Sequence, residues 1–94
     1  MDLSNLFVES YRPRESTSSL VAFATVRIPS VGIDVRGIGH HVNEDGTQWI
    51  EMPHRIRRKA DGSAIKIYTL RFVNASDWQK FKTATLTALD TMSS

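Results

Sequence analysis

The densest group of residues able to do chemistry in this sequence is a basic run just after Pro53. It reads HRIRRK over residues 54–59, so four cations fall within five residues. Clustered guanidinium and ammonium groups attract phosphates and release their counterions, and guanidinium planes also stack on bases. An alternative is a solvated loop whose charges only confer solubility. We interpret the run as an exposed loop that contacts nucleic acid through Arg55, Arg57, Arg58 and Lys59.

The charge of this region contrasts with that of the rest of the chain. Between Arg55 and Arg71 there are six cations and one acid, Asp61, so the segment carries +5. Because the whole chain is only +2, the remainder carries −3. This uneven distribution favours a polyanionic partner for the segment itself.

Two further candidates, Lys66 and Tyr68, lie on the strand predicted after the basic run. They occupy alternate positions, so on a regular strand they share one face, whereas Arg71 falls at odd spacing and faces the other side. A cation and an aromatic ring on one face resemble a platform on which unpaired bases stack. The alternative is a core tyrosine with the lysine stem lying beside it. We include Lys66 and Tyr68 among the nucleic-acid-binding candidates.

No set of residues is arranged for catalysis or for metal binding. There is no nucleophile beside a base, no pair of carboxylates, and no glycine-rich phosphate loop that leads into a helix. Adjacent His40 and His41 would point to opposite faces of a strand, and no spaced ligand pattern joins them. With no cysteine, disulfides and thiolate chemistry are excluded. The sequence predicts no enzymatic activity, no metal and no cofactor.

The elements that must position these residues are mostly strands. Apolar and β-branched runs alternate with turn residues, and residues 43–46 and 61–62 carry the Asn, Asp and Gly that tight hairpins require. The run at 20–28 is typical of a strand that is buried on both faces or paired centrally in a sheet. Strands are predicted over residues 5–11, 20–28, 31–42, 47–52 and 64–73.

The clearest helix signal lies near the C-terminal end of the chain. Ser76 and Gln79 have the spacing of a capping box, and Asp77 between them suits the positive end of a helix dipole. From Trp78 onward, apolar residues recur at spacings of three and four, which makes one stripe that must lie on a sheet or on a partner. A helix is predicted over residues 76–92.

Together these elements predict a single α+β domain over residues 1–94. It consists of an antiparallel sheet of about five strands and one C-terminal amphipathic helix, with residues 12–19 as an exposed loop or arm. One helix can cover only one face of such a sheet, and long edges remain open. Homodimer formation through an edge strand or through the helix is therefore expected.

The sequence also bears on where the protein acts. Its first residues lack a basic region and hold an apolar run of only three residues, unlike a secretory signal. No stretch reaches membrane-spanning length. We expect a cytoplasmic protein with no membrane partner.

Three segments in a fixed order carry a family resemblance. AFATV at 22–26 is followed by IDVRGI at 33–38 and by WIEMP at 49–53. A basic stretch, the Asp61-Gly62 turn and the pair Val73-Asn74 come next, ahead of the helix. This order resembles the stage V sporulation protein G family over nearly the whole chain, although Arg71-Phe72 stands where that family has His-Pro.

The resemblance implies a small dimer with an antiparallel sheet that binds DNA or RNA through basic residues and acts in regulation. It implies no catalysis. Together with the basic run, it predicts a nucleic-acid-binding regulatory protein. The alternative, from a different class, is a protein-interaction or assembly module that acts through an edge strand or the C-terminal helix.

Overall fold

The computed structural model describes residues 2–15 and 17–93 and contains six strands followed by one helix. Four strands form an antiparallel sheet in chain order, and the last two form a separate antiparallel pair. The elements are β1 (Phe7–Pro13), β2 (Leu20–Ile28), β3 (Ile33–Val42), β4 (Gln48–Glu51), β5 (His54–Arg58), β6 (Ala64–Tyr68) and α1 (Ala75–Ser93).

The predicted α+β class is confirmed, with six strands in two sheets in place of about five in one. Strand β2 is paired centrally, between β1 and β3. Its side chains alternate between buried positions such as Val26 and Ile28 and exposed ones such as Phe23 and Arg27. The period of two therefore gives the sheet one covered face and one open face, so β2 is not buried on both faces.

Helix α1 lies on the covered face of the four-stranded sheet. Phe81 and Leu89 on the helix form a core with Val26, Ile38 and Ile50 on the strands. The apolar stripe predicted from the sequence is therefore used mainly within the chain, which leaves Met92 half-exposed at the end of the helix.

The helix begins one residue earlier than predicted, and Asn74 caps it. The Asn74 side-chain oxygen accepts a hydrogen bond from the Ser76 backbone N–H at 2.8 Å, and its carbonyl accepts one from Trp78 N–H at 3.1 Å. The capping box predicted at Ser76 is therefore wrong, because the cap lies two positions earlier at Asn74. Asn and Ser are equally good N-caps, so the residue types alone do not distinguish the two positions. Asp77 lies in the first turn, as expected.

Strands β3 and β4 are shorter than predicted by one or two residues at their ends, and two other boundaries differ more. Strand β1 continues through Arg12 and Pro13, so the predicted loop at 12–19 is shorter, and Ser16 lies outside the described residues. Strand β6 ends at Tyr68, well before residue 73. The chain leaves the strand because Phe72 turns inward to pack on Phe81, with ring centroids 5.0 Å apart.

Two β-bulges lie at the same level of the four-stranded sheet, on either side of Thr25. On β1 the register shifts between Val8 and Ser10, and on β3 two residues, Arg36 and Gly37, lie opposite Thr25 alone. Gly37 has φ +77°, the left-handed conformation that such bulges place on glycine. Bulges bend and twist a strand, so a pair of them curves the sheet around Thr25.

Candidate nucleic-acid interface

The basic run forms one strand of a β-hairpin, which we call the basic arm (residues 54–68). Lys59 N–H donates to the Ser63 carbonyl at 2.8 Å, and Gly62 N–H donates to the Lys59 carbonyl at 3.0 Å. Gly62 has φ +87°, and the Asp61 carboxylate accepts hydrogen bonds from the backbone and hydroxyl of Ser63. The Asp-Gly turn predicted from the sequence therefore closes the arm.

The loop predicted for the basic run is wrong, because residues 54–58 are strand β5. Arg55 and Arg57 lie opposite Ile67 and Ile65, whereas Arg58 lies opposite Ala64. Paired residues of an antiparallel ribbon share a face and successive ones alternate. The arm thus presents Arg55 and Arg57 on one face and Arg58 on the other.

The cations of the basic arm are exposed to solvent. In residues 2–15 and 17–93, no carboxylate lies within ion-pair distance of the four cations from Arg55 to Lys59. The Asp61 carboxylate at the tip is occupied by the turn, and its hydrogen bonds with Ser63 lower its pKa. The arm therefore keeps its positive charge uncompensated over most of its length.

Glu51, the last residue of β4, joins the basic arm to the four-stranded sheet. Its carboxylate accepts hydrogen bonds from Lys66 Nζ at 2.7 Å and from the Tyr68 hydroxyl at 3.1 Å, and His54 Nδ1 lies 3.8 Å away. Burial raises the pKa of Glu51, but the two hydrogen bonds outweigh this effect, so the pKa lies below its ordinary value. The same contact raises the pKa of Lys66.

The predicted shared face of Lys66 and Tyr68 is confirmed by these contacts. Tyr68 is 43% exposed, so it is not a core residue. Its ring packs edge-on against His54, with centroids 5.6 Å apart. Both candidate residues are thus held at the root of the arm, where Glu51 engages their polar groups.

The backbone reinforces this root. His54 Nδ1–H donates to the Met52 carbonyl at 2.9 Å. Just after the other strand, the backbone N–H and the hydroxyl of Thr69 both donate to the Pro53 carbonyl, at 3.0 and 3.1 Å. Both ends of the arm are therefore tied to the segment that follows β4.

Beyond the arm, Arg71 lies in the irregular segment that leads to α1. It borders an apolar cleft of about 410 Å3, together with Leu70, Phe72, Val73 and Trp78. Val73 is 97% exposed, and Leu70 is also exposed. Arg71 thus lies just past the basic arm and borders the same cleft as Tyr68, the last residue of the arm.

The open face of the four-stranded sheet carries further arginines that were not singled out from the sequence. Arg12, Arg14 and Arg36 are exposed, and the Arg14 guanidinium lies 5.4 Å from the centroid of the Phe23 ring. Arg27 is paired with Asp34 at 2.7 Å, a contact that lowers the pKa of Asp34. Arg12 and Arg14 are far from Arg27 and Arg36 in the sequence, and only strand pairing brings the two groups together.

The two adjacent histidines have unrelated structural roles. His40 is 6% exposed and lies between the Tyr11 hydroxyl at 2.9 Å and the Gln48 side-chain oxygen at 2.7 Å. His41 stacks on Trp49 with centroids 4.8 Å apart, and burial lowers its pKa. Within the described residues, no group of three or more His, Asp or Glu side chains could hold a metal ion.

Comparisons with known proteins add no relative to this description. No protein-family model, curated protein or solved structure matches the chain. Of the helices in the described part of the chain, none is long and apolar enough to span a bilayer.

Proposed function

We propose that this chain is a nucleic-acid-binding regulatory protein that acts in the cytoplasm and contacts phosphates through its basic arm. The observation that carries the proposal is an exposed two-stranded ribbon whose cations, from Arg55 to Lys59, have no carboxylate partner among the described residues. The resemblance to the stage V sporulation protein G family supports the same function. DNA and RNA are both open as the polyanion.

The division of cations between two faces fits a ribbon that a polyanion surrounds. The major groove of a DNA duplex is wide enough to admit a two-stranded β-ribbon. A ribbon that enters a groove has phosphates on both sides, so Arg57 on one face and Arg58 on the other each reach a backbone. Lys66 and Tyr68 then serve to hold the arm in place through Glu51.

The test is the salt dependence of binding by an R57Q/R58Q variant. Each phosphate contact contributes roughly −0.9 to the slope of log Kobs against log salt on duplex DNA. Removing one cation from each face should weaken binding to all sequences and reduce the slope by up to about 2. Fluorescence anisotropy with a labelled duplex, repeated over a range of salt concentrations, measures both quantities.

A matched control removes the same charge elsewhere. Lys80 and Lys82 lie on α1, which covers the opposite side of the sheet from the open face. A K80Q/K82Q variant should keep the wild-type slope. Equal slopes for wild type and R57Q/R58Q would remove the arm from the interface, whatever the affinity of the wild type.

The proposal includes a homodimer. Ile33, Leu70 and Val73 are exposed and border one shallow apolar depression of about 270 Å3. Exposed apolar residues that cluster in this way are typical of protein contact surfaces, and a second copy would place two basic arms in one particle. Light scattering on wild type and on a V73D variant tests it, because an added charge should favour the monomer.

A second candidate function is protein interaction, favoured by the apolar cleft beside Val73 and Trp78. In that case the basic arm is incidental. A protein partner that stays bound after nuclease treatment and in high salt, with no retardation of DNA or RNA in a gel, would favour this function over nucleic-acid binding.

A further inference from the structure

The open face of the four-stranded sheet has a groove at its centre, which we call the double-bulge groove. It lies over Thr25, where the bulges of β1 and β3 bend the sheet from both sides. Its volume is about 630 Å3, within the range of small-ligand sites. The helix packs on the other face, so nothing among the described residues covers the groove.

The groove combines cations with an aromatic ring. Arg12 on β1 and Arg36 on β3 border it, with Phe23 on the strand between them. Strands two apart in a sheet are separated by roughly 10 Å, which two guanidinium side chains can span. Phe23 is 38% exposed, and the Arg14 guanidinium lies over its ring. The groove therefore offers a partly exposed aromatic ring, against which the Arg14 guanidinium already lies, flanked by anion-binding groups.

The arginines of the groove form no close ion pairs among the described residues. Of the described carboxylates, none lies within ion-pair distance of Arg12, Arg14 or Arg36, whereas Arg27 nearby is neutralised by Asp34. Glu9 brings one carboxylate to the groove. Glu9 is the bulge residue of β1, level with Thr25 and Arg36, whereas Arg12 lies opposite Phe23. The Glu9 carboxylate therefore offsets part of the positive charge on the Arg36 side of the groove and leaves the charge of Arg12 beside Phe23.

We propose that the double-bulge groove binds one nucleotide of a single-stranded nucleic acid, with the base against Phe23 and the phosphate between Arg12 and Arg36. This inference rests on the proposed function but uses a surface separate from the basic arm. An unpaired base exposes its faces for stacking, whereas a base within a duplex is already stacked on its neighbours. The ligand is therefore a single strand.

The test compares two groove variants on two ligands by fluorescence anisotropy. The ligands are an oligothymidylate of about 15 nucleotides and a labelled duplex. F23L keeps an apolar side chain but removes the aromatic ring, and R12Q/R36Q removes two exposed cations. Loss of a stacked base should weaken single-strand binding by F23L about tenfold with an unchanged salt slope. R12Q/R36Q should weaken it and also flatten the slope.

Controls separate this inference from the function of the arm. K80Q/K82Q should bind the single strand like wild type, and thermal melting of F23L and R12Q/R36Q checks that both fold. If both groove variants bind the single strand like wild type while R57Q/R58Q loses affinity, the groove site is overturned and the arm stands. If wild type binds neither ligand, the proposed function fails and the groove site with it. A change from dimer to monomer in the groove variants, without loss of single-strand affinity, would assign the groove to a second copy instead.

Discussion

The carboxylate of Glu51 accepts a hydrogen bond from the ammonium group of Lys66 at 2.7 Å, and this contact joins the last residue of β4 to the middle of β6. The strands of the basic arm make their close contacts chiefly with each other. A single carboxylate at the root therefore has a large share in fixing the direction in which the arm leaves the sheet. Loss of the Glu51 carboxylate should therefore destabilise the basic arm more than the hydrophobic core.

We expect an E51Q variant to lower the free energy of unfolding by about 1 kcal/mol at neutral pH, because Lys66 is half-exposed and solvent screens the pair. The folded-state pKa of Glu51 is depressed, so its contribution is fully present above the ordinary glutamate pKa. It is lost as the pH falls through the lower folded value. Because the pKa of Lys66 is raised, its ammonium group stays charged into alkaline pH, and the contact is lost only as the pH rises through that raised value.

Urea denaturation and amide exchange of β5 and β6, each as a function of pH, check this prediction. The stability difference between wild type and E51Q should shrink as the solution becomes acidic. K80Q is the control, because Lys80 lies exposed on α1. Curves for wild type and E51Q that run parallel into the acid range would show that Glu51 is not the anchor.

The fold could be predicted largely from local patterns. The period of two in β2 and the spacing of Phe81 and Leu89 in α1 follow directly from which side chains must reach the core. The ends of the strands and of the helix were harder to predict than their existence. Asn74 and Ser76 are both good caps, so local propensity does not choose between them, and the packing of Phe72 on Phe81 favours the earlier start at Asn74. Tertiary packing thus settled what local signals left open.

The site could be predicted only in part. The basic run is continuous in sequence, so its composition is evident. Its density of charge favoured a loop, whereas the alternation of Ile56 with Arg55 and Arg57 is the pattern of a strand. Ile56 lies opposite Lys66, on the other face of the ribbon from Ile65 and Ile67, so neither face is uniformly apolar. Arg12 and Arg36 could not be grouped from the sequence, because two bulges and two strand pairings bring them to one groove.

The alternation of the arm yields a prediction about single arginines. If phosphates lie on both sides of the ribbon, R57Q and R58Q should each weaken duplex binding and each reduce the salt slope by up to about 1. Anisotropy titrations over a range of salt concentrations measure the two variants side by side. A slope change in only one of them would mean that a single face of the arm meets the polyanion.

The hydrogen-bonded chain from half-buried Tyr11 through buried His40 to exposed Gln48 predicts a stability effect. His40 Nε2–H donates to the Gln48 oxygen, which leaves Nδ1 to accept from the Tyr11 hydroxyl. A Y11F variant deprives buried His40 of this partner, so we expect the free energy of unfolding to fall by about 1–2 kcal/mol. Urea denaturation measures it, with K80Q on the exposed side of α1 as the control. Equal losses in both variants would contradict a special role for the buried pair.

Thr85 supplies a prediction of the opposite sign. It is fully buried on α1, and its hydroxyl oxygen has no hydrogen-bond partner among the described residues. Valine has nearly the same shape without the hydroxyl, so we expect T85V to raise the free energy of unfolding by about 1 kcal/mol. T85A leaves a cavity as well and should lower it by about 1–2 kcal/mol. Urea denaturation curves for both variants measure these two changes in the free energy of unfolding. A T85V variant less stable than wild type would show that the Thr85 hydroxyl has a hydrogen-bond partner in solution, such as a buried water.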